Sequence, residues 1–68
     1  MEKSKVHVDK VRMALKEMGY HKTEVLINRL QVEEDADSEF SVDTIKEVAF
    51  SMLDFNHEEV LLSKLGIA

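Results

Sequence analysis

The fold is decided by residues 8–20, VDKVRMALKEMGY, where apolar side chains recur at helical rather than alternating spacing. The pattern predicts an amphipathic helix from about Ser4, a suitable N-cap, to Met18. Gly19 is expected to end this helix, because glycine adopts the left-handed backbone conformation that closes a helix. The apolar positions on its buried face are Val8, Val11, Leu15 and Met18.

Three further helices follow from the same kind of pattern. The second is predicted over residues 22–32, with Thr23 or His21 near its start and an apolar face of Val25, Leu26 and Leu30. The third is capped by Ser41 and runs to Leu53, with an apolar stripe of Val42, Ile45, Val48, Ala49 and Met52. The fourth is capped by Asn56 and stopped by Gly66, with an apolar face of Val60, Leu61 and Leu65. No segment alternates as a strand does, so the predicted class is all-α.

The expected architecture is one domain, residues 1–68, built as a small bundle of four helices in two αα-hairpins. Residues 4–32 form the first hairpin, residues 33–40 an acidic connection and residues 41–66 the second hairpin. Residues 18–32 also overlay residues 53–67 with seven coincident apolar positions and a period of 34–35 residues. The overlay predicts that Tyr20 and Phe55 are equivalent aromatics wedged between the helices of their hairpins. The alternative is chance similarity between two short amphipathic hairpins.

Composition restricts the classes of protein. The chain has 68 residues and no cysteine, which excludes a disulfide framework and a zinc site built on thiolates. No apolar run approaches the roughly 18 residues of a membrane span, so no membrane association and a cytoplasmic location are expected. The net charge is −5, and it is divided unevenly along the chain. Residues 1–31 carry seven basic and four acidic side chains, whereas residues 32–68 carry two basic and ten acidic ones.

This polarised charge favours an electrostatically oriented contact with a partner or with a second copy. Two solvated faces without a partner are the alternative interpretation. The overall acidity argues against nonspecific nucleic-acid binding, because only the N-terminal half could neutralise phosphates.

No pattern of catalytic or metal-binding residues is present. Asp35, Asp37 and Glu39 occupy odd positions of an EF-hand-like loop, but Phe40 and Lys46 stand where that loop needs Gly and Glu. The histidines at positions 7, 21 and 57 share no i, i+4 face, and no glycine-rich phosphate loop occurs. We therefore expect a protein that is not an enzyme, with no catalytic, cofactor-binding or metal-binding residue and no cofactor.

A helix-turn-helix is a second interpretation of the first hairpin. Gly19 fits the turn and Val25 the buried position of the second helix, on which Lys22, Asn28 and Arg29 could contact DNA. The alternative function is therefore a small DNA-binding regulator, although the net charge argues against it.

Residues 14–30 resemble the start of a ubiquitin-associated (UBA-like) domain, through Met18-Gly19-Tyr20 flanked by Leu15 and Val25. They are also similar to the C-terminal domain of the RuvA branch-migration family, whose first two helices join through a Leu-Gly-Tyr turn. The resemblance covers about 45 residues, roughly 8–53. It implies a docking module whose turn and third-helix end contact a protein such as ubiquitin or an ATPase. The acidic connection and the fourth helix depart from that pattern.

The main expectation is a non-enzymatic interaction module or regulator that binds a protein partner or its own copy. The four stripes leave over the apolar residues Val6, Met13, Ile27, Phe50 and Leu62, which a wide core would absorb or which would form an exposed patch. Together with the turn implied by the resemblance, the expected partner-binding residues are Met13, Met18, Gly19, Tyr20, Ile27 and Phe50.

Overall fold

The computed structural model describes residues 5–67, which form four helices and two short strands. The elements in chain order are β1 (Lys5–His7), α1 (Val8–Glu17), α2 (Thr23–Glu34), β2 (Glu39–Ser41), α3 (Val42–Met52) and α4 (Phe55–Leu65). The prediction of four helices is confirmed, and the described chain is mostly helical. The prediction that no strand would form is wrong.

The helices enclose one core. α1 packs against α2 and α4, and α3 packs against the same two helices. The apolar stripes predicted for α1 and α3 are confirmed, since Val11, Leu15, Ile45 and Ala49 are almost fully inaccessible. The buried apolar residues are Val6, Val8, Val11, Ala14, Leu15, Leu26, Ile27, Leu30, Phe40, Ile45, Val48, Ala49, Leu53, Leu61 and Leu65.

The first helix begins later than its sequence pattern predicts. It starts at Val8, because the three residues before it form β1. His7 takes the N-cap position, and its Nδ1 accepts a hydrogen bond from the backbone N–H of Asp9 at 3.1 Å. The predicted N-cap, Ser4, lies outside the described residues. Val6 is buried inside β1, so it is not a surplus apolar residue.

The two strands pair antiparallel, with Val6 directly opposite Phe40. The hydrogen bonding between the two segments continues beyond the strands, where the backbone N–H of Val8 donates to the carbonyl oxygen of Ser38 at 2.7 Å. Phe40 is completely buried and is the largest of the fully buried side chains. The prediction that residues 33–40 are only an acidic connection is therefore wrong, since they contain the end of α2 and a core residue.

Glycine ends the first helix as predicted. Gly19 has a φ of +74° directly after the C-cap of α1, in the left-handed region that glycine adopts without strain. The same conformation closes α2 at Asp35, with a φ of +52°, a position that sequence reasoning did not identify.

The fourth helix begins at Phe55 because Asp54, not Asn56, is its N-cap. Oδ1 of Asp54 accepts a hydrogen bond from the backbone N–H of His57 at 2.8 Å. Phe55 is consequently the first helical residue and is 71% exposed. Tyr20 is half-buried against the core, with its ring 6.5 Å from that of His57. The predicted equivalence of Tyr20 and Phe55 as buried turn aromatics is wrong.

Replacing Phe55 with alanine is therefore expected to change the free energy of unfolding by less than about 0.5 kcal/mol, as for other surface substitutions. Urea denaturation followed by circular dichroism measures it. A loss of about 3 kcal/mol, typical of a buried aromatic, would show that the ring packs into the core in solution.

The chain repeats one order of elements, strand–helix–helix, over residues 5–34 and 39–65. β1 and β2 begin 34 positions apart, as do α1 and α3, which agrees with the predicted period, whereas α2 and α4 begin 32 positions apart. The register pairs Lys5 with Ser41 and His7 with Glu39, so the pairing is symmetric about Val6 and Phe40. Any antiparallel pairing of two three-residue strands is symmetric about its middle pair in this way. An internal repeat stays a prediction, with chance similarity between two amphipathic hairpins as its alternative.

Candidate interaction surface

Ion pairs between side chains link α1 to its neighbouring helices on the outer surface. The Arg12 guanidinium on α1 binds the Glu24 carboxylate on α2 through two contacts, Nε–Oε2 at 2.9 Å and Nη2–Oε1 at 3.3 Å. This hydrogen-bonded pair raises the pKa of Arg12 and lowers the pKa of Glu24. Nζ of Lys64 on α4 lies 3.3 Å from Oε1 of Glu17 on α1. These pairs join α1 to both neighbouring helices.

Glu34 joins the end of α2 to the start of α3. Its Oε1 accepts hydrogen bonds from the backbone N–H of Ser41 at 3.1 Å and from the Ser41 hydroxyl at 2.9 Å. Hydrogen bonds from Thr44 and Ser41 lower the pKa of Glu34. Ser41 occupies the predicted N-cap position of α3, but its side chain makes no capping bond within that helix. The Glu34 carboxylate thus orients α2 against α3.

The lowered pKa of Glu34 predicts a pH-dependent stability. Between pH values near its two pKa values, the folded chain binds fewer protons at this carboxyl than the unfolded chain. The stabilisation that the Glu34 carboxylate gives the folded state is therefore complete above the ordinary pKa of about 4. It is lost as the pH falls through the lower pKa of the folded state. We expect Glu34→Gln to be less stable than the native chain at pH 6, with the difference shrinking toward pH 3.

Urea denaturation midpoints between pH 6 and pH 3 test this expectation. Glu59→Gln, at an exposed position on α4, is the matched control and should follow the native curve. A Glu34→Gln difference that stays constant over this range would contradict a role for the charged carboxylate.

The structure separates the residues predicted to bind a partner. Met13 and Phe50 are 63% and 76% exposed, as predicted for surplus apolar residues. Met18 and Tyr20 are half-buried against the core beside exposed Gly19. Ile27 is only 1% exposed, so its assignment to an interface is wrong because the core takes it up. Among the other residues predicted to be surplus, Val6 is also buried and Leu62 is half-buried against the core.

Met13 lies on α1, whereas Phe50 lies on α3. Met13 lines a shallow depression of about 490 Å³ on α1, which is otherwise lined by charged side chains: Asp9, Arg12, Lys16 and Glu17. The lining therefore combines one exposed methionine with four charged side chains.

A more apolar groove runs between α2 and the end of α3. Its volume is about 360 Å³, and it is lined by Val25, Asn28, Arg29, Val32, Ser51 and Met52. Val25 is 53% exposed and Val32 is 76% exposed. The two valines are seven residues apart, which is two turns of a helix, so they lie on the same side of α2.

A second depression of about 140 Å³ continues this groove, because Arg29 and Ser51 line both. Its remaining lining residues are Glu33, Glu47 and Val48. Nε of Arg29 lies 3.0 Å from Oε2 of Glu33, an i, i+4 ion pair. The two depressions together are called the α2–α3 groove below. Apolar side chains dominate the larger depression, and Arg29, Glu33 and Glu47 make the smaller one its charged end.

The prediction that Val25 belongs to the buried face of α2 is wrong. Successive residues of a helix are about 100° apart, so Val25, Leu26 and Ile27 cannot all point into one small core. The core takes Leu26, Ile27 and Leu30, which leaves Val25 and Val32 on the outer surface. Their seven-residue spacing was the signal that could have identified this surface. The prediction that Val60 lies on the buried face of α4 is also wrong. Its side chain is 45% exposed, whereas the next residue, Leu61, is buried.

The exposed position of Val25 also affects the helix-turn-helix interpretation, which requires that side chain to be buried. Lys22, Asn28 and Arg29 are exposed on or beside α2, where they could contact a ligand. Arg29, however, is already paired with Glu33.

Within residues 5–67, no three His, Asp or Glu side chains approach closely enough to hold a metal ion. None of the helices in the described chain has the length and apolar character needed to cross a bilayer.

Comparison with protein-family models, curated proteins and solved structures finds no match to this chain.

Proposed function

We propose that this chain is a small, non-enzymatic interaction module that binds a protein through the α2–α3 groove. The observation that carries the proposal is the exposure of Val25 and Val32 on one side of α2, beside Met52. Apolar side chains grouped in a groove with a polar border are typical of protein-binding surfaces. Binding would remove both valines from water without disturbing the core.

The resemblance to UBA-like and RuvA C-terminal domains supports one border of the groove, since the turn residues Met18, Gly19 and Tyr20 are not among its lining residues. It implies docking through the first turn and the end of the third helix, and Ser51 and Met52 belong to that helix end. A regulator that acts by docking needs no catalytic group. The cytoplasmic location and the absence of enzymatic activity stay predictions.

DNA binding by α2 is the alternative, supported by the exposed side chains of Lys22, Asn28 and Arg29. The carboxylates of Glu33 and Glu47 at the charged end of the groove would repel phosphates approaching there. A protein partner therefore fits the groove better than a duplex.

Site-specific photo-cross-linking in living cells tests the proposal. A photoreactive amino acid replaces Val32 in one variant and Val60, another exposed valine on a helix, in the control. We expect a discrete protein adduct from position 32 and none from position 60. Equal adducts at both positions, or none at either, would contradict binding through the groove. A gel-shift measurement on duplex DNA with the native chain and Arg29→Ala tests the alternative.

A further inference from the structure

We propose that the protein bound in the α2–α3 groove is a second copy of this chain, with the two α2 helices antiparallel about a two-fold axis. The inference rests on the proposed function and identifies its partner. In such an isologous contact, each copy presents the same surface to the other.

The positions of the exposed valines define where the axis lies. Val25 and Val32 are equally distant from the point midway between Asn28 and Arg29. An axis at that point brings Val25 of each copy beside Val32 of the other. Both apolar contacts then form at once, and each copy shields the valines of its neighbour from water.

The charge of the chain favours this antiparallel orientation. The boundary between the basic part of the sequence, residues 1–31, and the acidic part, residues 32–68, falls within α2. Lys22 lies about 10 Å from the axis point along the helix, and Asp35 lies the same distance beyond it, at 1.5 Å per residue. An antiparallel pair therefore places Lys22 of each copy level with Asp35 of the other.

A parallel pair would instead set Lys22 against Lys22 and Asp35 against Asp35. The helix dipoles also favour the antiparallel arrangement, because the positive N-terminal end of each helix lies beside the negative C-terminal end of the other. Both effects select the same orientation.

The polar residues near the axis are compatible with close approach. The charge of Arg29 is already balanced by Glu33 of the same copy, so two arginines near the axis repel each other less. Asn28 can both donate and accept, so its amide can hydrogen-bond to its equivalent across the axis. Glu33 comes level with Glu24 of the other copy, but Glu24 is held by Arg12. A polar pair at the centre of a helix contact fixes its register at some cost in affinity.

The expected dimer is weak, because one pair of short helices forms a small interface of the transient class. Sedimentation equilibrium at protein concentrations up to several hundred micromolar measures it. Val32→Glu should remove association and leave the denaturation midpoint unchanged, because the side chain is 76% exposed. Val60→Glu, which adds the same charge to another exposed helical valine, should still dimerise.

The absence of native cysteine allows a test of orientation. Val25→Cys and Val32→Cys copies, mixed and treated with a short bis-maleimide, should cross-link to each other far more than each does to itself. Self-cross-linking of each variant would show a parallel pair and overturn the proposal. Unchanged association of Val32→Glu would also overturn it.

The outcomes separate this inference from the proposed function. If the chain stays monomeric to several hundred micromolar while photo-cross-linking at position 32 captures a different protein, self-association is wrong and the interaction module stands. If neither self-association nor an adduct is found, both are wrong. If duplex DNA is bound instead and Arg29→Ala abolishes the binding, the alternative function replaces both.

Discussion

Replacement of Phe40 with alanine is expected to lower the free energy of unfolding by about 3–5 kcal/mol, the range for a buried aromatic. The side chain has no exposed surface and is the largest of those that are fully buried. It projects from β2 directly opposite Val6, where both units of the chain meet. A domain of this length has only about 3–10 kcal/mol of stability in total, so a large fraction of Phe40→Ala should be unfolded at 25 °C.

Circular dichroism at 222 nm and urea denaturation measure this loss. Phe50→Ala is the matched control, because Phe50 is the same residue type but 76% exposed, and it should retain the native midpoint. Phe40→Leu should recover part of the stability by refilling most of the cavity. A Phe40→Ala midpoint equal to that of the control would mean that β2 is not docked on the core in solution.

The second large effect is expected at Ile27. Ile27→Ala should cost about 2–5 kcal/mol, because the side chain is 1% exposed and its removal leaves a cavity. Val25→Ala, two positions earlier on the same helix, should cost less than about 1 kcal/mol because the valine is 53% exposed. The contrast between the two variants reports which side of α2 faces the core.

Both variants should be compared by urea denaturation at a concentration below 5 µM, roughly, where the weak dimer proposed above contributes nothing to stability. Similar losses in the two variants, or the larger loss in Val25→Ala, would mean that α2 is rotated about its axis relative to this structure.

The sequence predicted the helices well where an apolar stripe was regular and local. In α1 and α3 the buried positions recur at helical spacing, and the remaining sides are mostly polar or charged, apart from Met13 and Phe50. Gly19 marks the end of α1 through a backbone preference that needs no tertiary information. These features depend on near neighbours in the chain, so one sequence contains them.

The strands could not be predicted in the same way. Each has three residues with one apolar side chain, Val6 or Phe40, which is too short for alternation to be visible. Their stability comes from pairing with each other across 34 positions of sequence. The long acidic run before Phe40 further obscured its place in the core.

None of the six residues predicted to bind a protein partner lines the α2–α3 groove. Met13 and Phe50 were correctly expected at the surface because they lie off the main stripes of their helices. The α2–α3 groove was not foreseen, because it depends on how Ser51 and Met52 are placed beside α2. That placement is a result of helix packing, which the pattern of a single helix does not specify.

The strand pairing has a consequence for how the chain folds. β1 belongs to the first unit and β2 to the second, and they bond to each other. A unit folding by itself would leave its strand without a partner, so the two units should form and melt in one cooperative transition. Because Val6 and Phe40 are far apart in sequence, their contact closes a long loop and should slow folding relative to a helical bundle of equal length. The slowest amide protons are then expected in α1 and α3 together, exchanging only when the whole molecule unfolds.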